Sequence, residues 1–285
     1  MKMVAAAKLR RAQEAIFSSR PYAFKLREMA QQLMGQVDPE VAGLPGARED
    51  VRRVLVVVIS ADRGLAGAFN TNVIKTTEAL VRDELAAHKD AGTLSLICVG
   101  RKGHKHFANR GYDIVGNNSG FFNDLRFDRA AAIVTTIREG YENGLWDQVF
   151  VVYNEFKNTI AQNRIIEPFL PIPDDQFQTP VMESSSDYTA ADPDAKQSDY
   201  IFDPSAAEML RSLLGLHLNA QMWRIVLESN ASEQGARMVA MDNATTNAGE
   251  LLGRLQLSYN QARQAAITTE ILEISSGAEA LTNQS

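Results

Sequence analysis

The sequence has little of what several protein classes require. Cys98 is the single cysteine among 285 residues, so no intramolecular disulfide bond is predicted, and such cysteine usage is typical of the cytosol. No apolar run approaches about 18 residues, so no membrane-spanning helix is predicted. Basic residues are not in excess, since the formal charge is −6 and the isoelectric point is near 5.4. This charge disfavours a dedicated nucleic-acid-binding protein, which usually has a basic surface.

Motifs for catalysis and for cofactor or metal binding are also missing or incomplete. Gly64 and Gly67 form only a Gly-x-x-Gly pattern, and no Gly-Lys-Ser/Thr motif of a P-loop occurs. His104 and His106 have no carboxylate or cysteine at metal-ligand spacing, which favours a solvated basic turn. No sequence pattern joins a nucleophile, a base and an orienting acid. We therefore predict no catalytic site, no cofactor and no metal.

Residues 60–70, which we name the foot loop, join a predicted strand to a predicted helix. Its polar and glycine residues of interest are Asp62, Arg63, Gly64, Gly67 and Asn70. A turn from strand to helix often needs glycine for its backbone geometry. Phosphate binding is the alternative interpretation of the two glycines. We expect Asp62 and Arg63 to cap a helix or to contact a partner.

Proline does not occur after Pro204, where the composition changes to good helix formers. Apolar or small residues from Leu213 to Ala266 recur with a mean step of about 3.5, the period of a left-handed coiled coil. The Asp-Pro-Ser sequence at 203–205 is a helix start signal. Residues 1–34 contain no glycine and also predict a helix, which Pro21 is expected to kink or restart. We predict that the N-terminal and C-terminal helices form an antiparallel coiled coil.

Charge is scarce near the end of the C-terminal helix. Between Leu257 and Leu281 the charged residues are Arg263, Glu270, Glu273 and Glu279. A helix that is small and apolar around its whole circumference is expected to be surrounded by protein.

The middle of the chain predicts an α/β domain. Val54–Ile59 and Leu94–Val99 are unbroken apolar runs of the kind found in strands covered on both faces. Alternation of strands and helices indicates a mostly parallel, Rossmann-like sheet. The further predicted strands are 112–115 and 148–153, and the predicted helices are 71–88, 101–109 and 124–142. Residues 168–198 predict an acidic loop. The predicted domains are 1–50 (helix and linker), 51–203 (α/β) and 204–285 (helix).

Residues 265–278, with the sequence AAITTEILEISSGA, resemble the gamma subunit of F-type ATP synthases. The family pattern is Ile-Thr-x-Glu, two residues, an acid, three residues and Gly-Ala, and every position is met. Residues 3–10, 62–70 and 233–241 resemble the same family, in the family's order.

The resemblance implies a central-stalk rotor subunit that couples proton or sodium flow to ATP synthesis or hydrolysis by rotation. Its coiled coil is expected inside a catalytic head of alpha and beta subunits, and its α/β foot is expected on the epsilon subunit and the c-subunit ring. The expected head contacts are Arg263, Gln264, Thr268 and Glu270. The expected contacts with the ring or epsilon are Tyr200 and Asp203.

Three further expectations follow from the resemblance. Gamma subunits usually carry additional residues before the position of Met1, so the N-terminus is expected to be shortened. The cysteine-bearing insertion of chloroplast members is absent, which favours a bacterial type at the cytoplasmic face of the inner membrane, held there through the complex.

The alternative interpretation, from another class, is an α/β nucleotide- or cofactor-binding protein that dimerises through its coiled coil.

Overall fold

The computed structural model describes residues 1–34, 48, 50–172 and 205–282. Contacts between residues divide the chain into two units, Met1–Val239 and Ala240–Ser285. The helices among the described residues are α1 (Lys2–Met34), α2 (Phe69–Asp83), α3 (Ala86–Asp90), α4 (Arg101–Ala108), α5 (Phe127–Glu142) and α6 (Ala206–Thr282). The strands are β1 (Val54–Ile59), β2 (Leu94–Val99), β3 (Asp113–Asn118), β4 (Gln148–Phe156) and β5 (Gln162–Leu170).

The described strands form one five-stranded sheet in the order β3-β2-β1-β4-β5. β1 pairs in parallel with β2 and β4, and β2 pairs in parallel with β3, whereas β5 is antiparallel to β4. Every residue of β1 is buried, as its unbroken apolar sequence predicts for a central strand covered on both faces. The predicted mostly parallel sheet is confirmed.

Helices cover both faces of the sheet. One face carries a core of β1, β4 and β5 side chains against α5 and against residues 218–226 of α6. The opposite face packs mainly on α2 and α4 through Val73, Leu80 and Phe107. This three-layer arrangement is the one expected when strands alternate with helices.

Helices α1 and α6 pack together in the first unit with opposite directions. Leu9, Ala12 and Ile16 share an apolar cluster with Leu227 and Ala231. Leu26, further along α1, shares a cluster with residues 210–214 of α6. Later residues of α1 therefore contact earlier residues of α6, so the two helices run in opposite directions. The predicted antiparallel pairing is confirmed.

The structure differs locally from the sequence prediction. α1 continues through Pro21 rather than restarting there. The helix predicted over 71–88 is two helices, because the chain turns at Glu84 and Leu85. Pro168, predicted to begin the acidic loop, pairs with Phe150 in β5, which lies at the sheet edge where proline is tolerated.

The start of α6 matches its sequence signal. Ser205 lies immediately before the helix, and its Oγ accepts the backbone N–H of Glu208 at 3.3 Å, as an N-cap serine does. Among the described residues, no helix is both long enough and apolar enough to cross a membrane.

Candidate functional site

The foot loop lies where a doubly wound α/β protein would bind a ligand. It follows β1, and the winding of the sheet reverses between β1 and β4, because β2 and β3 lie on one side of β1 and β4 lies on the other. Ligands of such sheets bind in the crevice at the carboxyl ends of the strands next to this reversal. The contents of this crevice therefore decide what the domain can bind.

Asp62 is buried in the foot loop and accepts three backbone hydrogen bonds. Its Oδ1 accepts the N–H of Arg101 at 3.0 Å and that of Gly120 at 2.6 Å. Its Oδ2 accepts the N–H of Phe122 at 3.0 Å. The side chain is 7% exposed, so its charge is balanced by these N–H groups rather than by water. Asp62 thus caps α4 and the turn before α5, not the helix that follows it in sequence.

The remaining N–H groups at the start of α4 are also bonded to the foot loop. Lys102 donates its N–H to the carbonyl oxygen of Ala61 at 3.1 Å. Gly103 donates its N–H to Oγ of Ser60 at 2.8 Å. Unpaired N–H groups at a helix start are a ready binding site for a phosphate. Here the chain's own Asp62 carboxylate, Ala61 carbonyl and Ser60 hydroxyl take that place.

Gly100 allows this close approach between the foot loop and α4. Its φ is +96°, and a Cβ at this position would lie 1.9 Å from the carbonyl oxygen of Ser60. Any side chain would therefore force the loop away from the helix, and positive φ is itself unfavourable for other residues.

The other predicted foot-loop residues shape the loop. Oδ1 of Asn70 accepts the N–H of Ala61 at 2.9 Å, and its Nδ2 donates to the carbonyl of Arg63 at 3.4 Å. Gly67 has a φ of +54°, which glycine adopts at no steric cost. The side chain of Arg63 is exposed. The structure therefore brings Asp62, Gly64, Gly67 and Asn70 into one folded loop, whose Arg63 faces solvent.

The crevice beside the loop is filled by α2 and α6. Phe69, Ala61 and Ala66 form a buried cluster against which Ala236 of α6 packs. Asn154, near the end of β4, donates its Nδ2 to the carbonyl of Phe69 at 3.0 Å. Side chains of the chain itself thus occupy the space that a cofactor takes in a doubly wound enzyme.

Arg237 joins α6 to the foot loop. Its Nη1 donates to the carbonyl oxygen of Gly64 at 2.6 Å, and its Nη2 pairs with the Glu233 carboxylate one turn earlier. Glu233 is buried. Burial raises the pKa of Glu233 above its ordinary value, although Arg237 and Lys8 act in the opposite direction. Residues from three stretches that carry the resemblance (3–10, 62–70 and 233–241) therefore meet here.

The predicted basic turn has a partner that the sequence did not indicate. His106 lies on α4, and its Nε2 is 2.8 Å from a carboxylate oxygen of Glu78 on α2. The part of the chain that the structure describes holds no group of three or more His, Cys, Asp or Glu side chains arranged to bind a metal ion. Cys98 is fully buried in β2, and burial raises the pKa of its thiol to about 12, so this cysteine packs as a core residue.

Comparison with known proteins gives a full-length match. The family model described as ATP synthase matches residues 1–281. The ATP synthase gamma chain of Salinibacter ruber is 54% identical over 281 residues, which cover 99% of this chain and 91% of that protein. The gamma chain of Chloroherpeton thalassium is 47% identical over the same shares of both chains. The chain belongs to the ATP synthase gamma chain family.

Solved structures share the fold of this gamma-chain family member. The central stalk and c-ring structure of the Tetrahymena thermophila mitochondrial ATP synthase contains a chain with a TM-score of 0.60 and 23% identity, covering 86% of this chain and 97% of that one. A chain of the Euglena gracilis mitochondrial ATP synthase has a TM-score of 0.56 and 19% identity, covering 98% and 94%. The predicted fold class is confirmed.

The second unit holds the residues that the resemblance places against the catalytic head. Every residue from 242 to 279 is exposed. This includes Arg263, Gln264, Thr268 and Glu270, and Oγ1 of Thr268 donates to the carbonyl of Gln264 at 2.9 Å. Large apolar side chains are exposed as well, namely Leu251, Leu252, Leu255, Leu257, Tyr259, Ile267, Ile271, Leu272 and Ile274.

Tyr200 and Asp203, the expected contacts with the ring or epsilon, lie outside the described residues, as do residues 173–198 of the predicted acidic loop. Ser60 and Arg237 are not among the predicted site residues, although Ser60 bonds the start of α4 and Arg237 bonds the foot loop. A signal was available for Arg237, because Glu233 and Arg237 have the i, i+4 spacing of a helical ion pair. No local pattern marks Ser60, whose partners lie about forty residues further along the chain.

Proposed function

We propose that this chain is the central-stalk rotor subunit of a bacterial F-type ATP synthase. It couples ion flow through a membrane ring to ATP synthesis or hydrolysis in a catalytic head by rotation. The observation that carries the proposal is the match to gamma chains over residues 1–281. In this role the chain lies at the cytoplasmic face of the inner membrane and is held there by its partner subunits.

The exposed second unit supports placement inside a protein sleeve. Its nine large apolar side chains named above are each 48–69% exposed. Exposed apolar side chains on this scale mark a surface for a protein partner. Charged side chains are sparse in the same segment, which suits a helix enclosed by protein on all sides. The proposed sleeve is the head of alpha and beta subunits.

Individual contacts are assigned within that proposal. Arg263, Gln264, Thr268 and Glu270 are the polar residues that contact loops of the catalytic head. Tyr200 and Asp203 contact the c-subunit ring or the epsilon subunit. The foot loop supports the joint between the α/β domain and α6 rather than binding a ligand.

We further propose that the chain has no catalytic or nucleotide site of its own. The filled crevice supports this, because Asp62 and Ser60 occupy the N–H groups of α4 and Ala236 packs over Phe69. The same filling disfavours the alternative of a dimerising nucleotide-binding protein. Equilibrium dialysis of the full chain with ATP or NAD should detect no micromolar binding. Binding that Gly64→Val abolishes would contradict the proposal.

The rotor function is tested in a reconstituted complex. The full chain is combined with head, epsilon and ring subunits in vesicles, and ATP synthesis is measured after a proton gradient is imposed. Omission of this chain should abolish gradient-driven synthesis. A sodium gradient in place of the proton gradient identifies the coupling ion. Equal synthesis with and without the chain would contradict the proposal.

A further inference from the structure

Arg224 and Glu167 form an ion pair inside the first unit. Arg224 lies on α6 and Glu167 lies on the edge strand β5. Nη2 of Arg224 is 2.7 Å from Oε1 and 3.0 Å from Oε2 of Glu167. The two side chains are 7% and 5% exposed. A charged pair so well removed from water is uncommon, because both charges lose their hydration.

Further hydrogen bonds extend the pair over three elements. Tyr153 on β4 donates its hydroxyl hydrogen to Oε2 of Glu167 at 2.7 Å and accepts a hydrogen bond from Nη1 of Arg224 at 3.2 Å. Gln221, one turn before Arg224, donates its Nε2 to Oε1 of Glu167 at 2.7 Å. Glu228, one turn after Arg224, has a carboxylate oxygen 3.8 Å from Nη1. The cluster thus ties Gln221 and Arg224, one turn apart on α6, to two adjacent strands.

Stability alone does not account for such a cluster. Replacing a buried ion pair by apolar side chains of similar volume often leaves a protein equally stable or more stable. Leu218, Met222, Ile225 and Val226 of α6 pack on the same face of the sheet, so apolar contacts already hold the helix there without the pair.

Direction is what the pair adds to these apolar contacts. Apolar contacts are not directional, so they resist sliding or turning of a helix on a sheet only through side-chain shape. Nη2 of Arg224 bonds both carboxylate oxygens of Glu167, while Nη1 bonds the Tyr153 hydroxyl, so the rigid guanidinium meets these partners in one orientation. A shift of α6 by one residue would turn its side chains by about 100° and remove Arg224 from Glu167. The pair therefore sets both the rotation and the axial position of α6 on the sheet.

We propose that Arg224 and Glu167 are positioning residues that transmit torque between the α/β domain and α6. This inference rests on the proposed rotor function. Torque applied to the α/β domain reaches the helix through their shared surface, and the directional bonds on that surface oppose rotation of the helix about its own axis. Burial opposes the charge of Arg224, but Glu167, Tyr153 and Glu228 outweigh it and raise the pKa of the guanidinium well above its ordinary value, so Arg224 stays charged.

Two variants separate torque transmission from folding. The double variant Arg224→Met/Glu167→Leu removes the directional bonds and keeps an apolar volume. Arg224→Lys keeps the charge but replaces the two nitrogens that bond Glu167 and Tyr153 by a single ammonium group. Arg211→Met, which removes an exposed arginine of the same helix, is the matched control. The full-chain variants are compared by thermal unfolding and then assembled into the reconstituted complex.

The measurement is the number of protons pumped per ATP hydrolysed, at equal assembly and against increasing opposing gradients. We expect the double variant to unfold somewhat below the wild-type temperature, because the buried polar groups of Tyr153, Gln221 and Glu228 lose these partners. Once assembled, it should also lose ~3-fold in this ratio, the scale of a modest coupling change. The loss should grow with the opposing gradient, because a larger gradient increases the torque on the contact between α6 and the sheet. Arg211→Met should behave as wild type.

Wild-type coupling in the assembled double variant at all gradients would overturn the inference. If the double variant fails to fold, wild-type coupling by an assembled Arg224→Lys variant would overturn it equally. A loss that is independent of the gradient would assign the pair to folding alone and would also overturn it. Failure of the wild-type chain itself to support pumping would instead contradict the proposed rotor function.

Discussion

The Asp62 carboxylate accepts the backbone N–H of Arg101 at 3.0 Å, so α4 begins on a side chain from the loop after β1. The same carboxylate holds Gly120 and Phe122. One residue thereby joins the ends of β1, β2 and β3 on the carboxyl side of the sheet. The loop after β1 therefore supports the start of α4 and the turn before α5.

Removal of the Asp62 carboxylate should destabilise the chain strongly. Asp62→Ala leaves three backbone N–H groups without their acceptor in a buried place. We expect the free energy of unfolding to fall by about 3 kcal/mol or more, since hydrogen bonds to charged groups are among the strongest. Denaturant unfolding of the full chain measures this. Asp90→Ala, at an exposed position, is the control, and an equal effect of both changes would contradict the assigned role.

Gly100 should tolerate a side chain less well than Gly111, another glycine with positive φ. Gly100 and Gly111 have φ values of +96° and +72°, but a Cβ at Gly111 would meet no atom within 4 Å. Gly111→Ala carries a positive-φ penalty of about 1 kcal/mol. Gly100→Ala carries a larger one, because its ψ of +143° lies outside the left-handed helical region. Gly100→Ala should lose about 2 kcal/mol more, because the loop must move from α4. Thermal unfolding of both variants tests this. Equal losses of stability would show that the foot loop can move away from α4 at no cost.

Glu233 should make stability depend on pH. Because its pKa is raised in the folded chain, the folded state holds the proton more tightly than the unfolded state. The contribution of Glu233 to the free energy of unfolding is therefore fully present below the ordinary glutamate pKa of about 4.3. It is lost as the pH rises through the folded-state pKa. Relative to the wild type, Glu233→Gln should gain stability between pH 4 and pH 7.

Denaturant unfolding at several pH values measures the effect of Glu233. Glu84→Gln, at an exposed position, should show no such trend. A Glu233→Gln variant that becomes relatively less stable toward neutral pH would show that pairing with Arg237 outweighs burial.

New charge in the second unit should impair coupling more than the loss of one polar contact. Ala266→Lys or Ile271→Lys would place a cation among the small and apolar side chains that face the proposed sleeve. An unpaired charge enclosed by protein costs several kcal/mol, so we expect gradient-driven ATP synthesis to fall on the order of tenfold. Thr268→Ala, which removes one polar group, should reduce synthesis less.

The comparison for this segment is made at equal assembly in the reconstituted complex. Ala266→Met and Ile271→Met, with side chains of similar length but no charge, separate the effect of charge from that of size. Normal coupling in both lysine variants would contradict the proposal that this low-charge segment is enclosed by the catalytic head.

Local sequence patterns predicted the elements whose residue types repeat regularly along the chain. The β-branched run of β1 predicted a buried central strand, and the steps of three and four along residues 213–266 predicted the helix α6. The antiparallel pairing of α1 with α6 and the gamma-chain family were also predicted, and both are confirmed. These properties repeat along the chain or match a continuous motif, so they can be recognised without knowledge of distant contacts.

The tertiary structure alone decided which polar residues meet. Asp62 receives N–H groups from residues 39 to 60 positions away, and Arg224 meets Glu167 across 57 positions. No periodicity encodes such a pair, because each partner is positioned by a different strand or helix. Burial makes these contacts important for stability, because a charge removed from water needs a partner inside the fold. For this reason the sequence revealed an incomplete glycine loop, and only the packed chain showed what fills it.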